Sequence, residues 1–462
     1  MSPMSLCTTP RILISAVSSG SGKTTVTSGL LRCLARRGLK LAAYKCGPDY
    51  IDPMFHKRVL DTPCRNLDLF FSTEDEVRTL LGQSAREADL AVLEGVMGFY
   101  DGLGGTTTQA SAYHLAKTTQ TPVILIADGR GTSLTLASVI KGVQEFREHA
   151  NIAGVIVNRC SKSAFSLIAR IVESECAIPV LGYIPVEPEA ALESRHLGLV
   201  TAGEVADLQE RIDKMADLLE ASVDIDALIA IARNATPFAF EQLSVEPVVQ
   251  NKPVIAVAHD NAFCFYYEES LERLRQLGAT LVDFSPLHDV AIPENADALY
   301  LGGGYPELSV KELSENEPMR ASVKHSYEAG MPIFAECGGF LYLKERLTDM
   351  DGAEWPMAGI LPGGAHYTGK LSRFGYIELT AKEAGFAAQP GETFRAHEFH
   401  YYDSDENGAA FHAQKPLSKR SWDCCYSDNR LFAGFPHMYL PATPTLAENF
   451  VRAASAYKEA RA

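Results

Sequence analysis

The apolar run Arg11-Ile-Leu-Ile-Ser-Ala-Val17 leads directly into Ser18-Ser-Gly-Ser-Gly-Lys-Thr-Thr25, and residues Thr24 to Arg37 follow at helical spacing. A strand, a Gly/Ser turn and a helix in that order leave backbone N–H groups exposed at a helix start, where the helix dipole favours a phosphate. Gly20 and Gly22 let the backbone approach closely, Lys23 can reach β and γ phosphates, and Thr24 offers a hydroxyl to Mg²⁺. Ser21, Gly22, Lys23, Thr24 and Thr25 are therefore the candidate ATP-binding residues. Val17 stands where such loops usually open with glycine, so the loop is a variant.

The segments Leu39–Tyr44, Leu90–Leu93, Pro122–Ala127 and Gly154–Val157 read as further buried strands separated by helix-length stretches. This alternation predicts a largely parallel sheet covered on both faces. Residues 203 to 235 read as one or two amphipathic helices, and Thr236–Lys252, with a weaker pattern and two prolines, reads as a linker. The alternation restarts at Pro253–Ala258, Leu281–Phe284, Ala298–Leu301 and Pro332–Ala335. The expected fold class is α/β with two domains, each a mostly parallel sheet covered by helices. Their spans are residues 1–240 and 250–446, with a C-terminal helix over 447–462, and residues 1–10 are expected to be unordered.

Subtracting 58 acidic from 42 basic residues leaves a net charge of −16, which disfavours nucleic-acid or anionic-membrane partners. No apolar run reaches 18 residues and the start lacks a signal-peptide pattern, so the expected location is the cytoplasm. The ten cysteines are scattered without metal-site spacing, and reduced, packed thiols are the expectation for most of them.

Two acidic elements lie near strand ends, where open α/β sheets place their ligands. They are Lys45-Cys-Gly-Pro-Asp-Tyr-Ile-Asp52 and Glu94-Gly-Val-Met-Gly-Phe-Tyr-Asp101. Hard oxygen donors such as Thr24, Asp49 and Glu94 suit Mg²⁺. Asp52 and Asp101 can also be read as turn or capping residues.

In the second half, Phe334-Ala-Glu-Cys337-Gly-Gly-Phe-Leu places a cysteine between an apolar strand and a helix-like segment, as a nucleophile elbow does. A thiol there gains thiolate character from the helix dipole and a nearby base. The expected base is His437 in Gly434-Phe-Pro-His437-Met-Tyr439. Gly302-Gly-Gly-Tyr-Pro-Glu307 follows a strand, and Gly303 and Gly304, with Gly338, are the candidate oxyanion donors.

The loop Ser18–Thr25, the Lys-Cys-Gly-Pro-Asp-Tyr-Ile-Asp-Pro run and the Glu-Gly-Val-Met-Gly-Phe-Tyr-Asp-Gly run together resemble the cobyrinic acid a,c-diamide synthase family, over nearly the whole chain. The resemblance implies a dethiobiotin-synthetase-like ATPase domain fused to a class I glutamine amidotransferase domain. It further implies ATP and Mg²⁺ use, with Asp49, Tyr50, Asp52 and Glu94 at the synthetase centre and Asn158 reading the adenine base. Its implied substrates are glutamine, ATP and cobyrinate, amidated at the a and c acetate side chains in cobalamin biosynthesis. Hydrogenobyrinate and nickel-sirohydrochlorin, both flat polycarboxylates, stay open as substrates, as does a cobyrate synthase. A non-enzyme alternative is an ATP-switched regulatory protein built on the same loop.

The usual third triad member, a Glu two residues past the histidine, is replaced by Tyr439, and the family it resembles also lacks that acid. The partner orienting His437 is thus unassigned. His397 and His400 in Arg395-Ala-His-Glu-Phe-His400 either line the interdomain site or are structural. Oligomeric state, a homo-oligomer included, is left open.

Overall fold

A computed structural model of the chain describes residues 3–60, 64–190 and 208–461. The chain divides into two units, the first ending at Leu243 and the second starting at Ser244.

The first unit contains β1 (Met4–Cys7), β2 (Arg11–Ala16), β3 (Leu41–Cys46), β4 (Cys64–Leu67) and β5 (Leu90–Glu94). It continues with β6 (Val123–Asp128), β7 (Ile152–Asn158), β8 (Val180–Ile184) and β9 (Phe238–Glu241). Strands β2 to β8 form one parallel sheet in the order β4-β3-β5-β2-β6-β7-β8. The apolar runs of the sequence are its central strands because both faces are covered. Helix α1 (Lys23–Arg36) buries Val26, Leu30, Leu31 and Leu34 in the same core as Ile12 and Ile14 of β2. The chain leaves β2 for β3 on one side and later returns to β6 on the other. This reversal opens a crevice beyond the carboxyl end of β2, where the Gly/Ser loop lies.

Two expectations are corrected here. Residues 1–10 are not structureless throughout, because Met4–Cys7 pairs antiparallel with Phe238–Glu241. That pairing also places a strand inside the stretch read as linker. The helices Leu208–Ser222 and Ile225–Arg233 occupy the stretch read as amphipathic, of which residues 203–207 lie outside the described residues.

In the second unit, β10 (Val254–Ala258), β11 (Thr280–Phe284), β12 (Ala298–Leu301) and β13 (Ile333–Glu336) run parallel. After β13 come β14 (Lys344–Thr348), β15 (Glu354–Pro356), β16 (Leu361–Tyr367), β17 (Arg373–Ala381), β18 (Thr393–His400) and β19 (Tyr402–Ser404). The last five strands are β20 (Phe411–Gln414), β21 (Ser421–Cys424), β22 (Tyr426–Ser427), β23 (Leu431–Gly434) and β24 (His437–Met438). The main sheet has the order β11-β10-β12-β13-β23-β22. Beside it lie a four-stranded sheet, β15-β14-β16-β19, and an antiparallel sheet, β21-β20-β17-β18-β24. These two sheets were not read from the sequence. The helix Pro444–Arg461 closes the chain and packs Leu446, Phe450 and Val451 into the core.

Candidate active site

In the first unit the Gly/Ser loop joins β2 to α1. Gly22, at φ +89°, caps α1 in a left-handed conformation that L side chains rarely adopt. A Cβ there would also lie 2.6 Å from Asn158 Nδ2. Asn158 sits at the end of β7 and donates from Nδ2 to the Ser21 carbonyl at 2.8 Å, while its Oδ1 accepts from the Arg159 amide at 2.9 Å. Its carboxamide thus braces the loop from behind, an engagement that the base-reading expectation did not include. The Ser21 hydroxyl closes the loop on the Ser18 carbonyl at 2.9 Å. Thr25 lies half-buried in the first turn of α1.

Lys23 is buried and donates to the Met97 carbonyl. Burial, and after it the charge of Lys45, lowers its pKa to about 8. An incoming phosphate would restore the lost charge stabilisation.

Lys45 of β3 and Glu94 of β5 lie opposite each other across adjacent parallel strands. Lys45 Nζ is 2.8 Å from Glu94 Oε1, also contacts Asp52, and is 3.7 Å from Asp49 Oδ2. The Thr24 hydroxyl lies 2.9 Å from Glu94 Oε1 and 3.1 Å from Asp52 Oδ2. Glu94 Oε2 meets His56 Nε2, and His56 is fully buried. Against the cost of burial, Lys45 first and then His56 hold Glu94 well below the usual carboxylate range. Burial and the Glu94 charge push Asp52 the other way, well above it.

Asp49, expected among the metal ligands, is placed differently. Its Oδ1 accepts the Ile51 amide at 2.8 Å and the Asp52 amide at 3.4 Å, which caps helix α2 (Ile51–Leu60). Asp52, on the first turn of α2, is the carboxylate that converges with Thr24 and Glu94. Among the described residues no three His, Cys, Asp or Glu side chains form a metal cluster. The Thr24, Asp52 and Glu94 oxygens still suit Mg²⁺, which needs only one or two carboxylates beside phosphate oxygens. Tyr50 lies half-buried just before α2, and Asp101 receives the Gly98 amide at 3.0 Å as a turn residue does.

Lys45 and His56 were missed as members of this centre. A lysine ending an apolar strand is a usable signal, since lysine is almost never fully buried unless paired. For His56 the signal is its position four residues after Asp52, on the same face of α2.

In the second unit Cys337 joins β13 to the helix Gly338–Leu343 with φ 46° and ψ −101°. A positive φ at a non-glycine residue is strained, as a nucleophile elbow requires. Its amide donates to the Gly434 carbonyl at 2.8 Å, tying the elbow to the segment that leads into His437. The glycine loop touches both partners. A Cβ on Gly303 would lie 2.5 Å from His437 Cε1, and one on Gly338 would lie 3.0 Å from the Gly304 nitrogen. Only a chain without side chains at these points can pack so closely. Cys337, His437, Gly303, Gly304 and Gly338 are thereby brought together.

Burial, then the Glu307 charge, pushes the Cys337 thiol up, while burial lowers His437 to about 3. Both groups are therefore neutral at neutral pH. All ten cysteines are free. His397 faces His437 across β18 and β24, and its ring meets Phe374 and Tyr376 edge-on. His400 stacks on Phe435 at 3.8 Å and bonds the Tyr402 carbonyl.

These buried groups set an acid response. Burial lowers His397 to about 3, His400 to about 4 and His437 to about 3, and raises Glu336 to about 8 and both Glu307 and Glu398 to about 7. Between about pH 6.5 and 8 the folded state holds carboxyl protons that the unfolded chain lacks, so stability falls as pH rises. Between about pH 6.5 and 4.5 the unfolded chain's three histidine protons balance the folded state's three carboxyl protons, and stability is level. Below about pH 4.5 the unfolded carboxyls take up protons as well, and stability falls on acidification by roughly 4 kcal/mol per unit. Both tryptophans, Trp355 and Trp422, lie in this unit. Thermal scans followed by tryptophan fluorescence are expected to show these six groups' plateau between about pH 4.5 and 6.5, with a loss on either side. A melting temperature that keeps rising from about pH 6.5 down to about 4.5 would mean the histidines are solvated.

The comparisons agree in both halves. Residues 12–200 match the CobQ/CobB/MinD/ParA nucleotide binding domain, and residues 254–444 match the CobB/CobQ-like glutamine amidotransferase domain. The chain is similar to the cobyrinate a,c-diamide synthase of Listeria innocua, 38% identical over 442 residues that cover 94% of this chain and 97% of that protein. The enzyme of the same name from Salmonella typhimurium is 38% identical over 448 residues, 96% of this chain and 97% of that protein. That of Priestia megaterium is 35% identical over 455 residues, 98% of each. A nucleotide-binding sheet unit followed by an amidotransferase unit defines the class, a glutamine-dependent ligase. With relatives this similar over their whole length, the chain belongs to the cobyrinate a,c-diamide synthase family. No helix among the described residues is long and apolar enough to cross a membrane.

Proposed function

We propose that this protein amidates the a and c side-chain carboxylates of cobyrinate, using ATP and ammonia drawn from glutamine. The observation that carries the reading is the strained Cys337 elbow packed against a glycine loop that also touches His437. Cys337 Sγ attacks the side-chain amide carbon of glutamine, and His437, neutral in its buried site, takes the thiol proton. The N–H groups of Gly303, Gly304 and Gly338 receive the oxyanion. The imidazolium returns the proton to the leaving nitrogen, ammonia departs, and water hydrolyses the γ-glutamyl thioester to glutamate.

In the first unit the γ-phosphoryl group of ATP passes to a substrate carboxylate, and ammonia displaces the phosphate from the acyl phosphate. Ser21, Gly22, Thr25 and the loop amides cradle the phosphates while Lys23 offsets their charge. Thr24, Asp52 and Glu94 would hold Mg²⁺, which supplies charge neutralisation at the β and γ phosphates. Asp49 and Tyr50, at the start of α2, lie beside the carboxylates and serve substrate binding. Both co-substrates are cytoplasmic metabolites, which supports a cytoplasmic reaction.

The test is product analysis with Mg²⁺-ATP and glutamine, with and without cobyrinate. A diamide is expected, with ADP and glutamate released in proportion to the amides formed. Absence of amide with cobyrinate, but not with hydrogenobyrinate or nickel-sirohydrochlorin, would reassign the substrate and keep the chemistry.

A further inference from the structure

Position 439, where an acid would orient the histidine, holds a tyrosine buried edge-on against Tyr267. His437 itself lies on β24, a strand of only two residues. So short a strand needs anchoring from outside its own ladder. The side chain that reaches it comes from the nucleophile strand. Glu336, the residue before Cys337, is buried, and its Oε1 accepts the Met438 amide at 2.6 Å. Its Oε2 accepts from the Tyr300 hydroxyl at 2.9 Å.

Tyr300 in turn packs edge-on against Tyr266, with ring centroids 5.1 Å apart. The Tyr266 hydroxyl accepts the Gly302 amide at 2.9 Å and donates to the Ala258 carbonyl. One buried arrangement therefore spans the glycine loop, the residue before the cysteine and the residue after the histidine. On β13, Glu336 shares a sheet face with Phe334, which belongs to an apolar core. A carboxyl in such a place is costly unless its hydrogen bonds are made, and here both oxygens make one.

We propose that Glu336 is the positioning residue of the amidotransferase site, setting His437 against Cys337 by holding the main chain at Met438. This rests on the reading of Cys337 and His437 given above. Glu336 acts through the backbone, by the hydrogen bond it accepts from Met438. Its requirement is an oxygen acceptor at the right reach, with Tyr300 satisfied behind it.

The experiment compares glutamine-driven and ammonium-driven amidation in Glu336→Ala, Glu336→Asp, Glu336→Gln and Tyr300→Phe. Glu336→Ala and Glu336→Asp lose the Met438 anchor, and kcat with glutamine is expected to fall roughly 10- to 100-fold as the base drifts. The KM for glutamine and the ammonium-driven rate stay near those of wild type. Glu336→Gln keeps an acceptor for Met438 and turns an N–H toward the Tyr300 oxygen, which then accepts instead of donating, and is expected to restore most of kcat. Tyr300→Phe removes one hydrogen bond from a well-packed ring and is expected to cost only a few-fold.

An aspartate or alanine variant with full glutamine-driven kcat would overturn the inference. So would a glutamine variant as slow as alanine, or a loss equal with glutamine and ammonium, which marks a packing role. Should Glu336→Ala fail to fold, the glutamine, aspartate and Tyr300→Phe variants decide alone. A wild-type protein that hydrolyses no glutamine would sink the amidotransferase reading itself, an outcome distinct from failure of the Glu336 variants.

Discussion

Cys337→Ala is expected to lower glutamine-driven amidation by roughly 10³-fold or more, while amidation driven by ammonium stays within about two-fold of wild type. The asymmetry follows from chemistry divided between two units. The thiol and imidazole are needed only to free ammonia, whereas activation of the carboxylate needs the phosphate loop and its acids. Burial of Cys337 holds its thiol neutral, so the nucleophile forms only as His437 takes the proton beside bound glutamine. His437→Ala should therefore resemble Cys337→Ala in kind, with glutamine use lost and ammonium use kept. Glutamate release, ADP release and amide product measured in one reaction mixture separate the two half-reactions. If Cys337→Ala still turns over glutamine, the nucleophile lies elsewhere and the elbow is a structural turn.

What the sequence disclosed was what a contiguous run can encode. The phosphate loop needs its glycines, Lys23 and Thr24 in one stretch, because consecutive backbone amides and one helix start make the cradle. The elbow is similar, since Cys337 and Gly338 must be neighbours. The central strands were legible because a strand buried on both faces is a plain apolar run, such as Val123–Asp128. The antiparallel strands were not. Arg373–Ala381 and Thr393–His400 bury only alternate residues or carry buried polar groups, Glu398 and His400 among them, and so resemble loops. Met4–Cys7 was missed for another reason. Its strand partner, Phe238–Glu241, lies more than two hundred residues away in sequence.

The acids show the same limit more finely. Asp49 and Asp52 both lie in one short run, and nothing in the run says which faces Thr24. The answer is set by where α2 begins, because a residue just before a helix start is used by its amides while one on the first turn projects from it. Glu336 stood next to the candidate nucleophile, yet its partners Tyr300 and Met438 come from β12 and β24. A hydrogen bond across three segments leaves no pattern along any one of them. Lys45 belongs to this class too, and its removal is the other large expected effect.

Lys45→Met is expected to destabilise the first unit by roughly 3–5 kcal/mol and to abolish amidation with either nitrogen source. Lys45 Nζ is a buried cation within 2.8 Å of Glu94, in contact with Asp52 and 3.7 Å from Asp49. The methionine fills the space but leaves those carboxylates facing one another without a cation between them. For a unit of this size that loss corresponds to a melting temperature roughly 6–20 °C lower. Calorimetry reads it directly, since both tryptophans lie in the other unit. Adding Glu94→Gln to Lys45→Met removes the most deeply buried of the carboxylate charges that Lys45 had offset, so the double variant is expected to be more stable than Lys45→Met alone. Activity should not return with it, because Glu94 is also one of the oxygens assigned to Mg²⁺. A double variant no more stable than the single would mean that the charges around Lys45 are solvated and do not set the stability of the unit. Full ammonium-driven activity in Lys45→Met would instead remove this acidic centre from the phosphoryl-transfer site.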